Sequence, residues 1–308
     1  MAIMRRRLPA WVFPRFSGVI TGALVTGMVC LIVGMAWVAG PHVSWRWVFG
    51  AGSMAGDPFD PGRAGLLPLL MGTAARTVVM ALAMIPAGVL TGVYLAEYAP
   101  PTARLPRLLR GVVQILAGVP GVIFGLFGLG FLVGVLGGSI DRLIGPPDAV
   151  VWGKPGLLWA SWTLALMTLP VVVIATEEAL RSVPRELREA AIALGATRFE
   201  VLVRVLLTEA LPGIATGVIL AIGRASGEVV PLLFTGAAVA TEGPPALNGR
   251  FMDLAYQVFV LATQSPDPER SRPLLLASVW VLVFLSLLLN AAAAILRHRV
   301  SPPTTERL

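Results

Sequence analysis

Charge is what this sequence has least of. Only 13% of its 308 residues are Asp, Glu, Lys or Arg, while 56% are hydrophobic; a soluble domain carries about 25% charged residues. A chain of this size with mean hydropathy +0.81 cannot cover itself with polar surface, and lipid as the solvent removes the need. Cysteine is nearly absent. The single Cys30 lies in an apolar run, which excludes a disulfide framework and a cysteine metal site. The two histidines, His42 and His298, have no carboxylate or cysteine at ligand spacing, so neither a bound metal nor a cofactor is expected. There is no glycine-rich phosphate loop of the GxxxxGK[ST] type. No Ser/His or paired-Asp arrangement sits inside an apolar segment, which leaves an intramembrane protease remote. The chain reads as a non-enzyme, and any nucleotide hydrolysis that drives it belongs to another subunit.

What is present is a series of apolar runs. A span needs about 20 apolar residues, and charge-free windows of that order occur at Phe16–Trp45, Thr77–Ala96, Gly111–Ile140, Pro155–Thr176 and Pro273–Leu296. The first is too long for the apolar core of a signal peptide and is read as an uncleaved span. A shorter run, Ala210–Gly223, continues past Arg224 and Glu228 into Val229–Thr241. It is read as one more membrane segment, with polar residues inside it and a break near Pro231. The expectation is an all-α membrane protein with six transmembrane helices.

The net charge of +7 does not indicate a nucleic-acid partner, because the basic residues form no single stripe. They cluster between spans, as topology would distribute them. With the N-terminus inside, the inner segments hold Arg5, Arg6, Arg7, Arg15, Arg104, Arg107, Arg110, Arg181, Arg185, Arg188, Arg198, Arg204, Arg297, Arg299 and Arg307, 15 of the 24 Lys and Arg. Both termini are therefore expected on the cytoplasmic side of a plasma or inner membrane. The outer connections, Pro41–Pro68 and Gly243–Pro273, are rich in Gly and Pro and read as ordered loops with some short helix. No tandem repeat is visible.

The loop from Thr176 to Glu209 is charged and alanine-rich, hence helical by propensity. Glu177 and Arg181 stand four apart in the stabilising order, and Ser182 with Pro184 suggests a cap and a first-turn proline. The spacing predicts a helix over Arg185–Ala193, a stop near Gly195 and a new start near Thr197. Leu187, Ala190, Ala191 and Leu194 share one face and Arg185, Arg188 and Glu189 the other. Such a face suits docking into a groove on another protein; a solvated connecting hairpin would look similar.

At this point a resemblance enters. Glu189-Ala190-Ala191, three residues, Gly195, nine residues and Val205-Leu206-Leu207 resemble the EAA signature of ABC importer permeases, with Thr208 where a proline usually stands. The resemblance implies a type I importer permease fold in which this loop is a coupling helix. It assigns Glu189, Ala190, Ala191 and Gly195 to contact with a cytoplasmic ATPase, and a small-residue face with a glycine turn fits that role. Tyr94-Leu95-Ala96-Glu97-Tyr98-Ala99, Leu116-Ala117-Gly118-Val119-Pro120, Glu177–Pro184, Ala193–Thr197 and Gly223–Glu228 with Pro231 resemble the phosphate importer's permease, PstA-type more than PstC-type. The sequence departs from that pattern at Gly121, Val229-Val230 and Arg76. The implied partners are a PstC-type second permease, a PstB-type ATPase dimer, a periplasmic phosphate-binding protein and membrane lipid. The implied organisation is a first span with its outer loop (1–68), a permease domain (69–299, with the coupling loop at 176–209) and a short tail (300–308).

Arg224 and Glu228 are the strongest candidate site residues. Four apart on a helix they share one face, about 6 Å along the axis, with Gly223 and Gly227 allowing close helix approach. A charge in the bilayer costs roughly 3 kcal/mol on insertion scales, so it calls for a partner or a wet cavity. A guanidinium fork matches phosphate oxygens, and the resemblance implies an anion pathway; a salt bridge that fixes helix register is the plainer reading. Arg76, near the outer start of the second span, is a third pathway candidate or a residue that snorkels to the interface. Pro120 predicts a kink in the third span, beside a small-residue face of Gly118, Gly121, Gly125 and Gly128. A permease for molybdate or sulfate, or an ion-coupled secondary transporter, are the alternatives, although the second would predict inverted repeats.

Overall fold

The computed structural model describes residues 12–42, 48, 65–100, 103–146, 148–241 and 243–300. Six helices among them are long and apolar enough to cross a membrane, in agreement with the count read from the sequence. In chain order the helices are α1 (Val12–Ala39), α2 (Leu67–Tyr98), α3 (Arg104–Gly118), α4 (Gly121–Ile144) and α5 (Leu157–Ser182). Then come α6 (Arg185–Ala193), α7 (Arg198–Ser226), α8 (Val230–Thr235), α9 (Leu254–Thr263) and α10 (Pro268–Val300). Two two-residue strands, β1 (Ala237–Ala238) and β2 (Phe251–Met252), pair in parallel between α8 and α9.

Helix α5 forms the centre of the bundle. Two thirds of its apolar window is buried, against none of that of α1. Lipid tails are as apolar as leucine, so packing rather than water exclusion joins helices here. Small residues provide it: Gly88 and Gly92 of α2 lie against Val172 and Thr176 of α5, and Gly213 and Gly217 of α7 against Ala179 and Ala175. A β-carbon at any of these glycines would come within 2.7 Å of its neighbour. The hydroxyls of Ser161, Thr163 and Thr168 on α5 donate to carbonyls four residues back, so these three buried polar groups are satisfied within the helix.

Three sequence expectations change. The window Gly111–Ile140 is not one kinked span. Val119 and Pro120 are both extended, α3 is a separate 15-residue helix, and the span itself is Gly121–Ile144. The reason is local: the proline ring fixes its own φ and disfavours the α region for the residue before it. The segment read as Ala210 to about Thr241 is likewise two helices. α7 begins at Arg198 and ends at Ser226, ahead of Pro231, which instead sits in the first turn of α8. Finally, Pro184 is the N-cap of α6 rather than its first-turn residue, while Ser182 closes α5 by donating to the carbonyl of Ala179.

The connection Gly243–Pro273 does contain a short helix, α9, and Pro273 lies inside the first turns of α10. Most of Pro41–Pro68 lies outside the described residues.

Candidate functional site

Two helix breaks meet in this fold. One is the extended pair Val119–Pro120 between α3 and α4. The other is the turn Gly227–Val229 between α7 and α8. A β-carbon on Gly121 would lie 3.7 Å from Oε2 of Glu228 and 3.8 Å from the ring of Pro231, so the first residue of α4 faces the second break directly. One turn further along α4, Gly125 packs against Pro231 and Phe234. Non-helical backbone in a membrane protein is tolerated where protein buries it or where it lines a polar cavity.

Arg224 occupies the last turn of α7 and is exposed. Among the described residues its guanidinium makes no ion pair or hydrogen bond. The expected Arg224–Glu228 pair on one helix face therefore does not form. The helix stops at Ser226, which takes Glu228 off the helical spiral, and its half-buried carboxylate turns toward Gly121.

Arg76 is fully buried and does not snorkel. Its Nε stands 2.9 Å from Oδ2 of Asp253, both side chains having no exposure. That contact lies off the N–H direction, so it counts as a charge contact and not as a hydrogen bond. Its Nη1 donates to the carbonyl of Ala225 at 3.1 Å. Among the described residues, Nη2 is buried without a partner. Thr73 donates to Oδ2 of Asp253 at 3.2 Å and accepts from the amide of Leu254 at 3.0 Å. Oδ1 of Asp253 accepts the amides of Ala255 and Tyr256, which makes it the N-cap of α9.

The physical sense of this cluster follows from helix ends. Ala225 carries one of the last four carbonyls of α7, which have no partner within the helix. A cation there complements the helix dipole, as an anion does at the start of α9. Arg76 and Asp253 thus join the end of one helix to the beginning of another across 177 residues of sequence.

At the opposite end of α2 lies the loop centred on α6. Gly195 adopts φ +85, a left-handed conformation that terminates the helix at little cost only in glycine. Thr197 and Glu200 form a reciprocal capping box at the start of α7, which then runs through Thr208 without interruption. Glu189, Ala190 and Gly195 are exposed, whereas Ala191 packs inward against the cluster of Val93, Leu180, Val201 and Leu202. Leu194 is 89% exposed and Phe199 67%. Ala191 therefore does not share an outward face with Leu187, Ala190 and Leu194.

Arg188 also turns inward. Both ends of its guanidinium bind the carboxylate of Glu97 at the end of α2, one of them at 2.7 Å. Nearby, Glu177 joins Arg110 of α3 at 2.9 Å and Arg181 at 2.6 Å, and Arg110 also donates to the carbonyl of Leu95. Asp253, Thr73 and the Glu97–Arg188 pair have no assigned role in the sequence reading. The one local signal for Asp253 is its place just ahead of an apolar run, as an N-cap residue would stand.

Six spans, an exposed two-helix loop at one end and an arginine beside facing helix breaks define a multi-pass membrane protein. Residues 85–305 match the family described as binding-protein-dependent transport system inner membrane component, and the chain belongs to that family. It is 29% identical over 96% of its length to the phosphate transport system permease protein PstA 1 of Mycobacterium tuberculosis, covering 89% of that protein. It is 32% identical over 82% of its length to the phosphate transport system permease protein PstA of Mycobacterium leprae, covering 79% of it. Among solved structures, a chain of a bacterial alginate ABC transporter in complex with alginate pentasaccharide-bound periplasmic protein superposes with TM-score 0.59 at 14% identity. That match covers 95% of this chain and 98% of the other, a likeness of fold.

Proposed function

We propose that this chain is a PstA-type permease subunit of an ATP-driven importer of inorganic phosphate. It acts beside a PstC-type second permease, a PstB-type ATPase dimer and a periplasmic phosphate-binding protein. ATP hydrolysis takes place on the ATPase subunits. Both termini are cytoplasmic, consistent with the 15 of 24 Lys and Arg on that side. The exposed residues Glu189, Ala190, Leu194 and Gly195 on and after α6 dock on the ATPase, and the anion passes Arg224.

The observation that carries this reading is the guanidinium of Arg224 on the last turn of α7, next to a helix break and without a partner among the described residues. An arginine left unpaired in a bilayer is costly, and an anion pathway gives it both water and a ligand. Phosphate is supported by the relatives named above. Gly121, a departure from the phosphate-permease pattern that the sequence resembles, lies against Glu228, beside the pathway, so sulfate and molybdate belong in the assay as competitors.

The test is uptake of radiolabelled phosphate by cells in which this chain is the sole permease of its type. Arg224→Gln should lower uptake at least a hundredfold while the tagged variant still copurifies with the ATPase. Normal uptake by the assembled variant would refute the pathway role. Failure of the wild-type chain to bring down an ATPase after mild crosslinking would refute the coupling role.

A further inference from the structure

We infer that Arg76 and Asp253 are a positioning pair that sets the aim of Arg224 without touching the transported anion. The inference rests on the pathway reading of Arg224. Arg76 is completely buried, and its guanidinium is held between Oδ2 of Asp253 at 2.9 Å and the carbonyl of Ala225 at 3.1 Å. Ala225 is the residue after Arg224, and α7 ends one residue further on. The terminal turn of a helix is its least constrained part, because its carbonyls lack partners within the helix. Here three of them accept hydrogen bonds: Gly223 from the hydroxyl of Ser226 at 2.7 Å, Arg224 from the amide of Gly227 at 3.4 Å, and Ala225 from the amide of Glu228 at 3.2 Å and from Arg76 at 3.1 Å. The other donors are the local Ser226, Gly227 and Glu228, whereas Arg76 comes from another helix, so it ties the turn bearing Arg224 to α2.

Arg76 is in turn fixed by Asp253, and Asp253 by Thr73 and the first amides of α9. The chain of contacts runs from the start of α9, through a buried charge pair, to the backbone beside Arg224. A buried ion pair is weak evidence for stability, since well-packed apolar replacements are often neutral or stabilising. That property separates a positioning role from a merely structural one. If the pair only holds the fold together, an apolar double replacement leaves Arg224 where it is.

The experiment measures the aim of position 224 directly. Arg224→Cys is placed in a Cys30→Ser background, and the introduced thiol is titrated with a charged, membrane-impermeant thiosulfonate in the full importer complex. Asp253→Asn and the double variant Arg76→Met with Asp253→Leu are then added separately. The double variant leaves no buried charge uncompensated, so it keeps the measurement possible where Asp253→Asn does not assemble. A change in labelling rate of fivefold or more in either background is the expected result. In the Arg224 chain, the same replacements should lower maximal phosphate uptake about tenfold, with complex yield retained. An assembled double variant with wild-type labelling rate and wild-type uptake overturns the inference. Arg224→Gln measured alongside separates the two readings: its normal uptake removes the pathway role, and leaves the labelling result as the test of the pair.

Discussion

A β-carbon on residue 72 would stand 1.9 Å from the carbonyl oxygen of Met252. Gly72 is therefore the contact point that lets α2 lie against β2, and it brings Thr73 and Arg76 within reach of Asp253. Enlarging it forces the strand away, and overpacking of this kind costs about 1–3 kcal/mol. Gly72→Val should lower the unfolding temperature of the detergent-purified protein and reduce uptake. An unchanged melting curve would show that β2 can retreat freely. Legibility in the sequence differs from residue to residue. Arg76, Arg224 and Glu228 are legible in the sequence because each interrupts an apolar stretch. Asp253 is not, because it lies in a connection that also holds Glu269, Asp267 and several arginines, and nothing local says that one of these acids is buried. Its partner is 177 residues away, and pairing at that range depends on the bundle. The expected Arg224–Glu228 pair failed for a local reason: the four-residue spacing holds only while the helix lasts, and it lasts two residues past Arg224.

Helix boundaries were most legible where chemistry marks them. α6 occupies Arg185–Ala193, as the run of helix formers before Gly195 predicts, and Thr197 with Glu200 gives α7 its start. The break before α4 is hidden from hydropathy, which predicts only a kink: the residues on both sides are apolar and uncharged, and only the backbone of Val119 and Pro120 changes. The element with the largest span of influence is α2. Its buried Arg76 meets the end of α7, and its last turn, in which Glu97 grips Arg188 of α6, lies 21 residues further on, about 32 Å along an ideal helix. Bidentate guanidinium–carboxylate pairs transmit orientation as well as charge. Breaking this one should detach the movement of α6 from α2 while the complex still assembles. Glu97→Gln is expected to retain basal ATP hydrolysis by the complex but to lose most phosphate-dependent uptake in proteoliposomes. Glu97→Asp, which keeps the charge, should recover part of it. Equal losses of hydrolysis and uptake would indicate misfolding instead of uncoupling.

At the scale of the whole molecule, the exposed surface is not all of one kind. Leu24, Val29 and Leu31 on α1, or Leu82 and Leu90 on α2, are apolar and exposed, as lipid contact requires. The surface around the second helix break is different. Arg224 and Gly227 are exposed there and Glu228 is half-buried, three sites within five residues that lipid would not welcome. An exposed arginine at the centre of a bilayer costs about 2.5–3.5 kcal/mol on insertion scales and more on an isolated helix. A second permease chain facing this surface across a wet gap would remove that cost and form the pathway between the two subunits. Gly227 is suited to test this, because nothing lies within 4 Å of the position its β-carbon would take, so a small side chain fits without strain. With Cys30 replaced by Ser, the thiol of Gly227→Cys should react with a charged, water-soluble reagent in the assembled complex. Its rate should differ between the nucleotide-free complex and the complex trapped with ATP and vanadate, as alternating access to a shared pathway requires. Reaction with a lipid-soluble maleimide alone, and at the same rate in both states, would put this face in the bilayer and leave Arg224 without a pathway to line.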